Sequence, residues 1–126
     1  MAFVMFNNNP YKKQVGDCSI RAISKALNQS WETSYIDLAS HGFFMKDMPS
    51  SNAVISSYLH SKGFRRYAIS NLCPDCYTFK DFAREHNKGI YILCTGTHIA
   101  TVIDGVIYDS WQSENEVPIF YWKKEN

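Results

Sequence analysis

The sequence predicts an α+β fold in a single domain spanning residues 1–126, and three observations carry that expectation. Up to about Gly89, apolar residues recur at helical spacing. Beyond it the chain turns to short apolar runs of strand length. Two of those runs are separated by Asp104-Gly105, a strong signal for a two-residue hairpin turn. Helices first and an antiparallel sheet afterwards make an α+β layout. With 126 residues, 45% apolar and 15% aromatic, the chain can bury one hydrophobic core.

The elements follow in order. The apolar opening Met1 to Phe6 stops at three asparagines and suits a first strand or a packed arm. Asn7 to Gly16 is a polar loop containing Pro10. A first helix is expected over Cys18 to Leu27, with Asp17 as N-cap and Ile20, Ile23 and Leu27 as its apolar stripe. Ser30 caps a second helix, in which Trp31, Tyr35, Leu38 and Ala39 recur until Gly42. Ser50 or Ser51 starts a third, with Val54, Ile55, Tyr58 and Leu59 inward and Gly63 at its end. Phe64 to Ile69 reads as a strand, and Thr78 caps a short helix that stops at Gly89. Four strands complete the chain: Ile90 to Cys94, Thr97 to Ile103, Val106 to Trp111, and Val117 to Trp122. Pro118 in the last of them hints at an edge or a bulge.

Composition excludes several function classes. A net charge of +1 supplies no general field toward polyanions, and Lys12-Lys13, Arg65-Arg66 and Lys123-Lys124 are too short to make a basic patch. Neither nucleic acid nor a membrane is therefore an expected partner. The opening segment is far too short for a signal-peptide core or a membrane span, so a cytoplasmic location with reduced thiols is expected. Cys73-Pro74-Asp75-Cys76 is half a zinc site, which His86 and Cys94 complete only if a helix and a strand fold back onto it. As a redox pair it lacks the strand-to-helix setting of the thioredoxin type. Ordinary loop cysteines are the simpler reading, and no metal or other cofactor is expected. Oligomeric state is left open.

The chemistry-bearing residues are Cys18, His98 and Asp109. Cys18 lies in the first turn of the expected helix, where free N–H groups and the helix dipole favour a thiolate in general. With Asp104 and Gly105 as the turn, Ala100 faces Asp109 and His98 faces Trp111. Alternation then puts His98, Ala100, Val102, Ile107, Asp109 and Trp111 on one face. His98 and Asp109 become diagonal neighbours, with backbones roughly 7–8 Å apart and side chains in reach of a hydrogen bond. A change of one residue in the spacing sends the carboxylate to the other face. A thiol, an imidazole and an orienting acid are the parts of nucleophilic acyl transfer. Gln14, four residues before Cys18, is a candidate oxyanion donor beside the Cys18 N–H. Trp111 is a candidate cover for the His–Asp bond, and Arg21 is expected to pair with Asp17 or Glu32.

This order of residues resembles the papain-like cysteine peptidase superfamily. Gly16-Asp17-Cys18-Ser19-Ile20-Arg21-Ala22-Ile23 looks like its nucleophile helix, and Thr97 to Trp111 looks like the His–Asp strand pair. Compact bacterial and phage members, of the bacteriocin-leader (C39-like) or NlpC/P60-like kind, are the most similar. The resemblance implies a central nucleophile helix among N-terminal helices packed on a C-terminal antiparallel sheet. It also implies Cys18 as nucleophile, His98 as general base and acid, and Asp109 as the third member, acting on a peptide, isopeptide or related amide of a peptide or protein substrate. The alternative is a binding or inhibitor module of the same fold, from a phage or mobile element, whose triad has decayed.

Overall fold

A computed structural model describes residues 3–70 and 77–125. Ten elements follow one another: β1 (Phe3–Met5), α1 (Cys18–Leu27), α2 (Trp31–Met45), α3 (Asn52–Ser61), β2 (Phe64–Ala68), α4 (Phe79–Glu85), β3 (Ile90–Cys94), β4 (Ile99–Ile103), β5 (Val106–Asp109) and β6 (Phe120–Lys124). The strands form one sheet in the order β1-β5-β4-β3-β6-β2. The α+β class holds, and α1 spans the expected residues. The sheet, however, is mixed, because β1 adds parallel to β5 beside four antiparallel pairings. A segment from the far N-terminus can join the sheet at either polarity, so local sequence leaves that orientation undecided.

Side-chain alternation on the strands splits the core in two. Ile92, Cys94, Ile99, Phe120 and Trp122 face α1, α2 and α3, whereas Leu93, Ala100, Val102 and Ile107 face Phe79 and Phe82 of α4. Helix α1 is tied to both neighbouring layers by buried hydroxyls. Thr101 on β4 donates to the Ala22 carbonyl at 2.7 Å, and Ser24 donates to Ser34 of α2 at 2.8 Å.

Several boundaries depart from expectation, three of them with consequences for the packing. Helix α2 continues past Gly42 to Met45, since Gly42 is buried where a Cβ would stand 2.8 Å from the Asp47 carbonyl. This glycine serves a close approach of the 47–49 turn and not a helix end. Helix α4 stops at Glu85, well before Gly89. Strand β6 begins only at Phe120 and lies between β3 and β2, so it is no edge, and Pro118 precedes it. The apolar run at Phe120 to Trp122 is thereby paired on both sides. No helix among the described residues is long and apolar enough to cross a membrane.

Candidate active site

The hairpin forms in the expected register. Thr101 pairs with Tyr108, Val102 with Ile107 and Ile103 with Val106, around Asp104 at φ 49° and Gly105 at φ 81°. Positive φ at both turn positions is the type I′ pattern that matches strand twist. His98 stands one residue before β4 and Asp109 is the last residue of β5, which puts both at one end of the sheet. His98 is steadied there by Thr95, whose N–H donates to the His98 carbonyl at 2.9 Å and whose hydroxyl accepts from the His98 N–H at 3.0 Å.

His98 Nε2 and Asp109 Oδ2 are 2.6 Å apart. The carboxylate also accepts from the Ser113 hydroxyl through Oδ2 and from the Ser110 N–H through Oδ1, at 2.7 Å for the latter. Trp111 lies against the His98 ring with centroids 4.8 Å apart, so it covers one side of the pair while staying partly exposed itself. Use of Nε2 by Asp109 leaves Nδ1 for a second partner. Cys18 is close enough to the ring to help raise the His98 pKa. Helix α1 lies across the sheet from Ala100 and Val102, yet its first turns reach the sheet end, where the Arg21 guanidinium stands 3.9 Å from the Asp109 carboxylate. Burial pulls the His98 imidazolium down. The hydrogen bonds to Asp109 and Cys18 outweigh it and lift the pKa to about 9.

Asp17 does not cap α1 with its side chain. Its carbonyl accepts the first helical bond from the Arg21 N–H at 2.9 Å, while its buried carboxylate pairs with the Arg21 guanidinium. Trp31 Nε1 donates to the same carboxylate at 2.9 Å and Asn9 Nδ2 at 3.3 Å. Charge-assisted bonds to a guanidinium are stronger than a bond to a neutral amide, which accounts for the departure from capping. One consequence is chemical. The N–H groups of Cys18, Ser19 and Ile20 have no acceptor among the described residues, so three donors at the head of α1 are free to meet an anion.

Arg21 does more than the sequence reading assigned to it. Only 5% exposed, it holds Asp17 on one side and places Nη2 3.9 Å from Asp109 Oδ1 on the other. Its i, i+4 spacing from Asp17 is visible in the sequence, whereas its approach to Asp109 and the bond from Ser113 depend on tertiary packing. Gln14 is exposed in its loop and takes part in none of the hydrogen bonds around His98 and Asp109.

Cys94 is buried among the residues facing α1, and its sulfur accepts from the Gly96 N–H at 3.2 Å. Burial pushes this thiol up, and the nearby Cys18 adds to the effect. His86 is stacked on Phe82 at 3.8 Å across the sheet from Cys94, so the two do not converge on one ion. Cys73 and Cys76 lie outside the described residues. Among the described residues, no group of three or more His, Cys, Asp or Glu side chains is arranged to hold a metal. Compared with known proteins, the chain matches no family model, no curated sequence and no solved structure.

Proposed function

We propose that the chain is a papain-like thiol hydrolase, a cysteine peptidase or amidase that cleaves a peptide, isopeptide or related amide. The observation that carries the reading is one imidazole bonded through Nε2 to a buried carboxylate, with a helix-head thiol near enough to the ring to help raise its pKa. In the mechanism this supports, His98 Nδ1 takes the proton of Cys18 Sγ and the thiolate attacks the substrate carbonyl. The negative charge that develops on the carbonyl oxygen is met by N–H groups at the head of α1. His98 then gives its proton to the leaving amine, and the C–N bond breaks to leave a thioester on Cys18. Water, deprotonated by His98, attacks that thioester and releases the acid, with the proton returning to Cys18. Asp109 keeps the imidazole oriented and compensates its positive charge throughout.

The test is site-resolved alkylation by iodoacetamide at pH 6, where an ordinary thiol is slow. Cys18 is expected to react at least tenfold faster than Cys73, Cys76 or Cys94, and His98→Ala is expected to abolish the difference. Equal rates at all four cysteines sink the hydrolase reading and leave the binding-module alternative.

A further inference from the structure

Helix α1 covers one face of the sheet. The other face, which α4 covers in part, carries a cavity of about 310 Å³ between α4, β6 and the end of β2. Four rings line it: Tyr77 just before α4, Phe82 on α4, His86 at its C-cap, and Tyr121 on β6. Strand register explains the gathering. Tyr121 pairs with Tyr67 on β2 and with Leu93 on β3, and Leu93 faces Phe79 and Phe82, so Tyr121 faces α4 as well.

The rings form a corner and not a stack. Phe82 and Tyr121 stand 4.9 Å apart at 61°, and His86 and Tyr121 stand 5.9 Å apart at 55°. A flat guest can lie along one of these planes only, whereas a rounded guest touches several. The rings are also backed by other groups. His86 stacks on Phe82 at 3.8 Å and donates through Nδ1 to the Phe82 carbonyl at 2.9 Å, and Tyr67 stacks on Tyr121 at 5.4 Å. A wall already fixed loses little entropy when it binds.

The charge at the cavity has one sign. Glu85 lines it and accepts from the Tyr77 hydroxyl at 2.8 Å through Oε1, which leaves Oε2 without a partner among the described residues. Burial first, and then Glu85, push the Tyr77 pKa upward, so its hydroxyl stays protonated as the donor. No Lys or Arg among the described residues lines the cavity. Arg84 stands 3.6 Å from Asp81. Arg65 and Lys123 face each other two residues along from Tyr67 and Tyr121, on the side away from Ser70. Lys123 is near enough to act on the Tyr121 hydroxyl but does not line the cavity. Aromatic faces carry partial negative charge, so the rings and the carboxylate together attract a cation.

We propose that this cavity binds a small organic cation with a rounded alkylammonium head, seated against Phe82, His86 and Tyr121 with its charge toward Glu85. The corner of rings selects the shape, and the carboxylate selects the sign. The volume stands at the lower end of the roughly 300–1,000 Å³ that small-molecule sites occupy, so it takes the head group and a short stem. Neither Cys18 nor His98 lines the cavity, and the proposal stands apart from the thiol-hydrolase reading.

The experiment titrates two compounds into the full chain at about pH 8, where an ordinary imidazole is neutral and does not repel a cation. One is choline. The other is 3,3-dimethylbutan-1-ol, its uncharged isostere with carbon in place of nitrogen. Binding is read from the side-chain NMR signals of Phe82, His86 and Tyr121. Choline is expected to shift them saturably, and the isostere to bind at least about tenfold more weakly, because it lacks the charge. Glu85→Gln, at an exposed position, and Tyr121→Leu, which keeps bulk but removes the ring, are each expected to weaken choline binding about fivefold. If Tyr121→Leu does not fold, Glu85→Gln alone decides. Equal affinity for the two compounds, the absence of saturable shifts, or unchanged choline affinity in Glu85→Gln overturns the proposal.

Discussion

Replacing Asp109 by Asn tests the electrostatic core of the site with almost no change of shape. The carboxamide oxygen can still accept from the Ser110 N–H, but an amide nitrogen at the Oδ2 position can accept neither the His98 Nε2–H nor the Ser113 hydroxyl. His98 is lifted from 6.5 to about 9 against the opposing effect of burial. At about 1.4 kcal/mol per tenfold change, that distance is about 3 kcal/mol in favour of the imidazolium. In Asp109→Asn the His98 ring is expected to titrate near 6.5 or below, read from its ring signals in a heteronuclear NMR titration between pH 5 and 10. The linkage has a definite sign. A histidine whose pKa is raised on folding contributes stability that is complete below pH 6.5 and is lost as pH rises through about 9. The natural chain should therefore lose up to about 3 kcal/mol of unfolding free energy across that window, and the variant should lose little. A His98 that still titrates near 9 in Asp109→Asn would refute the claim that Asp109 holds the imidazolium. It would move the weight to Cys18, the other group that raises the His98 pKa.

Two further substitutions probe how the site is braced. Arg21→Gln leaves two buried carboxylates without their shared cation and should cost about 3–5 kcal/mol in denaturant unfolding, with Arg21→Lys recovering part of it. Equal stability in Arg21→Gln and the natural chain refutes a buried charge cluster. Thr101→Val removes the donor to the Ala22 carbonyl and should cost about 1–3 kcal/mol, because that carbonyl is left buried with one bond fewer. It should also slow Cys18 alkylation, since the bond ties α1 to the strand that follows His98. Loss of stability with no change in alkylation would show that the tie serves packing alone.

The sequence was most informative where structure is local. Asp104-Gly105 sets the hairpin register through two positive-φ residues, and alternation of side chains then carries His98 and Asp109 into reach. The limits of α1 were equally legible, because apolar spacing and the polar Gly16-Asp17 lead-in both act within a turn or two of the helix start. Among the N-caps, the chemistry misled only at Asp17. There the choice between a backbone amide and a guanidinium depends on where the Arg21 side chain is buried. Gly42 misled in a similar way, since its small size answers to the Asp47 carbonyl and not to the helix it belongs to.

By itself, then, the sequence determined an α+β chain with a thiol at the head of α1 and a histidine and a carboxylate facing each other across a hairpin. Tertiary structure decided the rest. Docking of α1 by Thr101 and the shared core brings Cys18 to the sheet end, and the parallel addition of β1 to β5 makes the sheet mixed. The approach of Arg21 to Asp109 and the aromatic cavity between α4 and β6 arise in the same way. Turn geometry and side-chain alternation act over a few residues and can be read directly. Which distant segments share a core depends on every packing contact at once, so Cys18 and His98, eighty residues apart, meet only in the folded chain.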